Sequence, residues 1–356
     1  MARRRENIYK RKDGRWKARV IKGHDGRGKA SESTSEDSPR FGGVLDSWLE
    51  RKRIRLKESS YVKYFNLISN HIKPTLGDYA LSEINNAILN SYISEKHRTG
   101  RIRNKSNTDG GGLSEKTLKD IATVIKSALR FAQEERILSD IPIITITFPR
   151  EKRKEMRVLS KDEQAILEKY LCANMDTSKL GILLCLYTGL RIGEICSLRW
   201  RDISLENHTL TVKHTIQRMQ TLDADGSKKT KVLVTEPKSD CSMRIIPLPD
   251  ILIDKLKVFR PDDQNAFVLT GKSGSYIEPR TYHNHFKAHI AAVGIEDANF
   301  HSTRHTFATR CVEVGFEIKS LSEILGHANV TITLNRYVHP SFDLKRSNMN
   351  KLNYLG

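Results

Sequence analysis

Four short phrases in the 356-residue chain carry side chains suited to phosphate chemistry. They are TGLRIGEICSLRWRDI (188–203), HSTRHTFATR (301–310), LGH (325–327) and LNRYVHP (334–340). Cleaving a phosphodiester needs a nucleophile, charge neutralisation on the non-bridging oxygens and a proton for the leaving oxygen. Tyrosine can supply the first, arginine the second and histidine or lysine the third. Taken singly, each residue has a plainer reading. Tyr337 alone is a packing residue. Arg191 alone pairs with Glu194 at the helix surface, a contact worth only ~0.3–0.5 kcal/mol. His301 and His305 stand at i, i+4, the spacing of a zinc pair, but position 302 is Ser302 where a zinc protease carries glutamate. No third ligand is evident, so no metal is expected.

In this order, with a basic β-hairpin between the first two, the phrases resemble the tyrosine recombinases, or phage integrase family. The likeness covers the chain in outline and the catalytic region in detail. It implies that Arg191 is the first catalytic arginine and that Lys238, in PKSDCSMRIIPLP, is the lysine of the β-hairpin. It makes His301 and Arg304 the histidine and second arginine of the family's HxLRH phrase. His327 then matches the histidine of LGH, and Tyr337 the nucleophile. Thr303 stands where the family usually has leucine, at a packing position. The implied roles fit the chemistry. Arg191 and Arg304 would stabilise the transition state by bidentate hydrogen bonds, and Tyr337 would hold the cut strand as a phosphotyrosine. Lys238 would protonate the departing 5′ oxygen, His301 would take and return the tyrosine proton, and His327 would hydrogen-bond the phosphate. Glu194 would orient Arg191, and His305 reads as structural or hydrogen-bonding. The covalent link conserves the phosphodiester energy, so no cofactor, ATP or metal is expected.

The elements that must position these groups follow from periodicity. SKDEQAILEKYL opens a helix with a capping box, Ser160 and Glu163. KLGILLCLYTGL is an apolar helix, HTLTVKHTIQRM (208–219), KVLVTEP (231–237) and MRIIPLP (243–249) read as strands, and helices return from about Arg280. Upstream, 41–137 reads as about four helices. Ser59 or Ser60 caps one that ends before Pro74, and 81–97 is a second. Ser114 caps another, which sets Leu118, Ile121, Ile125 and Leu129 on one face. At the N-terminus, IYKRKDGRWKARVI (8–21) reads as a hairpin turning at Asp13-Gly14, with Trp16, Ala18 and Val20 on one face. The fold class expected is therefore multidomain: a small N-terminal β-hairpin module, an all-α helical core-binding domain and a mixed α+β, mostly α, tyrosine recombinase catalytic domain.

The domain boundaries expected are 1–40 for an arm-type DNA-binding module and linker, 41–147 for the core-binding SAM-like domain and 148–157 for a linker. The catalytic domain then occupies 158–356, ending in a docking tail. The acidic, Ser-rich stretch 31–40 stands where related integrases carry a third strand and a helix, which marks a shortened arm module.

Lysine and arginine total 61 against 42 acidic residues, a formal charge of +19. Such an excess points to a polyanionic partner. The cations assigned to DNA are Arg3, Arg4, Arg5, Arg15, Lys17 and Arg19 on the arm, and Lys228, Lys229 and Lys231 on the hairpin of the catalytic domain. Five cysteines without a CxxC pair suit free thiols in a reducing compartment. No apolar run reaches the ~20 residues of a membrane span, and MARRRENIYK does not open a secretory signal. The expected setting is the bacterial cytoplasm, at the nucleoid when active, with no membrane partner.

The resemblance implies a site-specific recombinase that integrates or excises a mobile element through a 3′-phosphotyrosine and a Holliday junction. Its partners would be double-stranded DNA attachment sites, three further copies in a synaptic homo-tetramer, and DNA-bending accessory proteins. Two other readings are a type IB topoisomerase-like relaxing enzyme, which shares the residue set, and a non-catalytic DNA-binding regulator, which would lack at least one catalytic group.

Overall fold

The computed structural model describes residues 8–10, 16–18, 39–101, 111–138, 143–149, 156–222, 228–235, 243–338, 346 and 349–350. Two short strands, β1 (Ile8–Lys10) and β2 (Trp16–Ala18), pair antiparallel with Tyr9 opposite Lys17. They bear out the N-terminal hairpin, while its Asp13-Gly14 turn lies outside the described residues. The chain divides into two compact units, one of Met1–Arg153 with Gln220–Lys228 and the other of Lys154–Met219 with Lys229–Gly356.

In the first unit the described helices are α1 (Phe41–Arg53), α2 (Glu58–Leu67), α3 (Lys73–Leu76), α4 (Asn86–Thr99) and α5 (Glu115–Glu134). Their apolar faces make one core, in which Phe41, Leu45, Leu89, Leu118, Ile121 and Ile125 are all fully buried. Ser114 caps α5 as expected, its hydroxyl accepting from the Thr117 amide at 3.3 Å. The helix expected to stop before Pro74 instead runs on through a π-helical turn (Ile68–Ile72) into α3. Proline falls in the first turn of α3, directly after this wider π-helical turn, in which the Lys73 amide bonds back to the Ile68 carbonyl. Asn86 and Asn90, one turn apart on α4, hold the extended segment that leaves this unit. Asn86 Nδ2 donates to the Ile143 carbonyl at 2.8 Å and its Oδ1 accepts from the Thr145 amide at 2.9 Å. Asn90 repeats the pattern on Thr145 and Thr147.

The second unit opens with α6 (Lys161–Cys172), closed by the expected Ser160–Glu163 capping box. α7 (Thr177–Thr188) is apolar on nearly every face and is buried accordingly. α8 (Ile192–Ser197) follows, then β3 (Ile203–Ser204), β4 (Thr209–Val212), β5 (Thr215–Leu222), β6 (Lys228–Thr235) and β7 (Arg244–Pro247). β3, β4 and β7 form one antiparallel sheet and β5 and β6 a separate ribbon. This explains why the stretch read as a single strand, 208–219, is two. Its first part pairs with β7 and its second with β6, so the chain breaks at Lys213-His214. α9 (Asp250–Phe259) was not expected, although Leu252, Ile253 and Leu256 give it a buried stripe. α10 (Pro279–Ala291), α11 (Phe300–Glu313), α12 (Ile318–Leu325) and α13 (Val330–Tyr337) complete the unit. α11 packs on α7, and α11, α12 and α13 pack on one another. No described helix is long and apolar enough to cross a membrane.

Candidate active site

The site is built on tight turns at helix ends. α7 closes on Gly189, whose φ of +64° is left-handed. A Cβ at that position would lie 2.6 Å from Phe307 and 2.9 Å from Leu325, so glycine is required by both backbone and packing. Two residues later Arg191 caps α8, its own amide donating to Glu194 Oε2 at 2.9 Å. The Arg191 guanidinium donates to Glu194 Oε1 at 2.7 Å and to the Gly326 carbonyl at 3.2 Å.

Glu194 is not a surface partner. Its side chain is 4% exposed, and Arg244 of β7 grips both carboxylate oxygens, at 3.1 and 2.9 Å. Burial alone would raise its pKa. Hydrogen bonds from Arg244, with the charges of Arg244 and Arg191, instead hold it down at about 2. Arg244 also donates through Nε to the Ile324 carbonyl at 2.6 Å. It therefore links the sheet, the Arg191 turn and the end of α12. Sequence reasoning missed Arg244, yet a signal was present. Period-2 alternation in RIIP puts this cation on the buried face with Ile246.

Arg304 of α11 is 1% exposed. Nη1 donates to the Gly189 carbonyl at 2.7 Å, and Nη2 to the Leu325 carbonyl at 2.5 Å and to His327 Nε2 at 3.1 Å. These acceptors are all uncharged. Burial first, then the neighbouring Arg191, pulls the Arg304 pKa down to about 9, so it is still a cation at neutral pH. Leu325 and Gly326 offer consecutive carbonyls, one to each catalytic-candidate arginine. The LGH turn, left-handed at Gly326 with φ +62°, thus fixes both guanidiniums at once.

Partial desolvation, followed by the charges of Arg304 and Arg191, brings His327 down to about 3, so its ring is neutral. A guanidinium can only donate, so Nε2 accepts and the ring proton resides on Nδ1. Nδ1 lies 2.9 Å from Oγ1 of Thr333, a fully buried residue of α13, and donates to it. Four residues on, Tyr337 ends α13 with its ring nearly parallel to that of His327, interplanar angle 4° and centroids 6.4 Å apart. Tyr337 is 6% exposed and packs with Ala308, Cys311, Leu321 and Leu325. Burial raises its pKa, while Arg304 and Arg336 act in the opposite sense, as charges and as hydrogen-bond donors.

The hydroxyl of Tyr337 is 2.9 Å from Nδ1 of His305, which is itself buried. His301 lies one turn before His305 on α11, the two rings edge to face with centroids 4.5 Å apart. It is solvent-accessible on its outer side, and desolvation of the inner side with the charges of Arg304, Arg336 and Arg191 brings it to about 4. Arg191, Arg304, His301, His327 and Tyr337 thus gather around the LGH turn. His305, read from the sequence as structural or hydrogen-bonding, and Thr333, which had no assigned role, are hydrogen-bonded within the same group. Thr303 is fully buried and donates to the Phe300 carbonyl at 2.8 Å, a packing position as expected.

Lys238 lies outside the described residues, as do Arg3, Arg4, Arg5, Arg15 and Arg19 and nearly all of the C-terminal tail. Lys17 and Lys228 fall on β2 and β6, and Lys229 and Lys231 are exposed on β6.

Comparison with known proteins gives the class. Residues 157–343 match the phage integrase family model, and residues 40–97 match the phage integrase N-terminal SAM-like domain. The chain belongs to the phage integrase family and is a tyrosine recombinase, an enzyme that cuts and rejoins DNA strands. Among curated relatives, a tyrosine recombinase XerC-like protein of Caldanaerobacter subterraneus subsp. tengcongensis is 29% identical, over 84% of this chain and 79% of its own. A tyrosine recombinase of Thermosipho africanus is 26% identical, over 81% of this chain and 96% of its own. Among solved structures, the Tn1549 transposon integrase in complex with a circular intermediate DNA shares the fold at TM-score 0.67 and 21% identity, covering 88% of this chain and all, 100%, of that one. A lambda integrase tetramer bound to a Holliday junction aligns at TM-score 0.58 and 17% identity, over 96% of this chain and 99% of that one.

Proposed function

We propose that this recombinase is an integrase of a mobile element, which exchanges strands between two double-stranded DNA sites through a 3′-phosphotyrosine and a Holliday junction. The observation that carries the reading is the shared LGH turn. Arg191 and Arg304 donate to its adjacent carbonyls, and His327, the residue that follows them, leads through Thr333 to the helix that ends in Tyr337. A scissile phosphate held by the two guanidiniums would stand beside one tyrosine hydroxyl. Arg304 has neutral acceptors, so an anion gains from its charge without displacing a carboxylate from it.

In this reading Tyr337 attacks phosphorus while Arg191 and Arg304 stabilise the crowded, more negative transition state. His327, neutral and accepting at Nε2 from Arg304, holds that guanidinium for the phosphate; to hydrogen-bond the phosphate itself, as the resemblance implies, its ring must bring its proton to Nε2. Lys238 protonates the departing 5′ oxygen, and His301 assists proton transfer at the entrance. In the solved complexes the Tn1549 integrase is bound to a circular intermediate DNA and a lambda integrase tetramer to a Holliday junction. By that likeness the working form here is a tetramer on DNA, with the exposed Lys229 and Lys231 along the backbone. DNA-bending accessory proteins and a place at the bacterial nucleoid complete the proposal.

The test uses a plasmid carrying two copies of the element's own junction site, incubated with the full chain in EDTA. Integrase function gives deleted or inverted circles and a trapped Holliday junction. Relaxed topoisomers without exchange would favour the topoisomerase-like alternative, and binding without any strand cleavage the regulator.

A further inference from the structure

The geometry points to His305 as the proton acceptor and positioning partner of Tyr337, a role that rests on the reading of Tyr337 as the nucleophile. The family resemblance gives the tyrosine proton to His301. In the structure His305, one residue beyond Arg304, has its Nδ1 2.9 Å from the Tyr337 hydroxyl.

Donor and acceptor counting gives that bond a direction. A phenol has one proton and two lone pairs, whereas a guanidinium has only protons to give. Arg304 and Arg336 lower the Tyr337 pKa, and either guanidinium can offer only protons to its oxygen, never accept one. The group in place to accept the phenolic proton is Nδ1 of His305, 2.9 Å away, and in the proposal the phenol donates to it. That requires a neutral His305 with its own proton on Nε2. The groups around His305 favour this state. Its desolvation comes first, then His301 and Arg304 of its own helix and Arg336 of α13, and together they depress it to about 4.

The same surroundings make the group conditional. Without DNA, burial and these three cationic or potentially cationic neighbours keep His305 from charging, and the tyrosine stays a neutral phenol. A phosphate bound by Arg191 and Arg304 brings negative charge beside the ring and raises its basicity. The step then balances. The Oη–H bond of Tyr337 breaks and its proton moves to Nδ1. Oη bonds to phosphorus, the bond from phosphorus to the 5′ oxygen breaks, and that oxygen takes a proton from Lys238. Resealing reverses each transfer, and His305 returns its proton to the leaving Tyr337 oxygen. His301, exposed and edge-on to His305, assists by relaying that proton between the His305 ring and solvent.

The experiment is single-turnover cleavage of a nicked suicide DNA by the full chain, comparing wild type with His305→Ala and His305→Gln. Adduct formation is followed with and without added imidazole and as a function of pH. DNA affinity and thermal melting are measured on the same preparations. A general base contributes roughly 10²–10⁴-fold. We expect His305→Ala to lose at least ~10²-fold in cleavage rate, to keep its DNA affinity, to recover in imidazole and to speed up with rising pH. Where His305→Ala melts early, His305→Gln carries the comparison, with the same rate loss and the same pH response. Cleavage at the wild-type rate by either variant overturns the proposal. So does a loss that neither imidazole nor pH alters, since that is the mark of a structural residue. Adduct formation by Tyr337→Phe would instead sink the nucleophile reading itself, which keeps the two failures apart.

Discussion

Arg244 closes on Glu194 with both terminal nitrogens, at 3.1 and 2.9 Å, and the two side chains are 6% and 4% exposed. A buried pair of this kind adds little over an apolar substitute, but breaking it strands a charge in the interior. Arg244→Met should therefore cost about 3 kcal/mol or more in urea unfolding. The double variant Arg244→Met with Glu194→Gln should regain much of that. A loss below about 1 kcal/mol in the single variant would show that Glu194 is rescued by Arg191 alone.

Gly189 makes a separate prediction. Alanine there needs a left-handed backbone and sets a Cβ 2.6 Å from Phe307. Strain of each kind costs on the order of 1–3 kcal/mol. Because the Gly189 carbonyl also accepts from Arg304, cleavage should fall further than the melting temperature implies. Gly189→Ala with wild-type stability and cleavage would contradict the close packing of this turn.

Arg304→Lys tests geometry rather than charge. Lysine keeps the cation but has one nitrogen, and cannot reach the Gly189 carbonyl, the Leu325 carbonyl and His327 as a planar fork does. Single-turnover cleavage should drop roughly 10²–10³-fold with DNA binding kept. A drop below tenfold would mean that a point charge suffices.

Protonation of the histidines links stability to pH. The unfolded chain binds these protons near 6.5, whereas folded His305 and His327 bind them near 4 and near 3. Between those values the unfolded state holds more protons, so stability is complete above pH 6.5 and declines as pH falls. Each group adds a slope approaching ~1.4 kcal/mol per pH unit within its window. Glu194, at about 2 against an ordinary 4.5, adds a second loss from pH 4.5 downward. Urea unfolding at pH 7, 6 and 5 should show the first decline, and His305→Gln and His327→Gln should each flatten it. A stability that is level from pH 7 to 5 would contradict the neutral assignments.

The sequence made the helices legible where one periodic face meets one core, as in α5 with Leu118, Ile121, Ile125 and Leu129. It failed where tertiary partners decide. Residues 208–219 alternate like one strand, but β4 and β5 pair with different neighbours. Pro74 looked like a stop signal, but the chain spends it in a first turn after a π-helical turn. In the site, residue types and order pointed to Arg191, Arg304, His301, His327 and Tyr337. The links between them were not legible, because they run through backbone carbonyls of the LGH turn, which carry no residue signature. The His305–Tyr337 contact joins positions 32 residues apart, and no local spacing encodes that.

The central claim is that Tyr337, among 11 tyrosines, carries the cut strand. The direct measurement is recovery of a covalent protein–DNA adduct from a radiolabelled, nicked suicide substrate, with mass spectrometry of the attached peptide. The account predicts an adduct on the peptide containing Tyr337, absent in Tyr337→Phe while that variant still binds the same DNA. An adduct on any other residue, or one that persists in Tyr337→Phe, would contradict it.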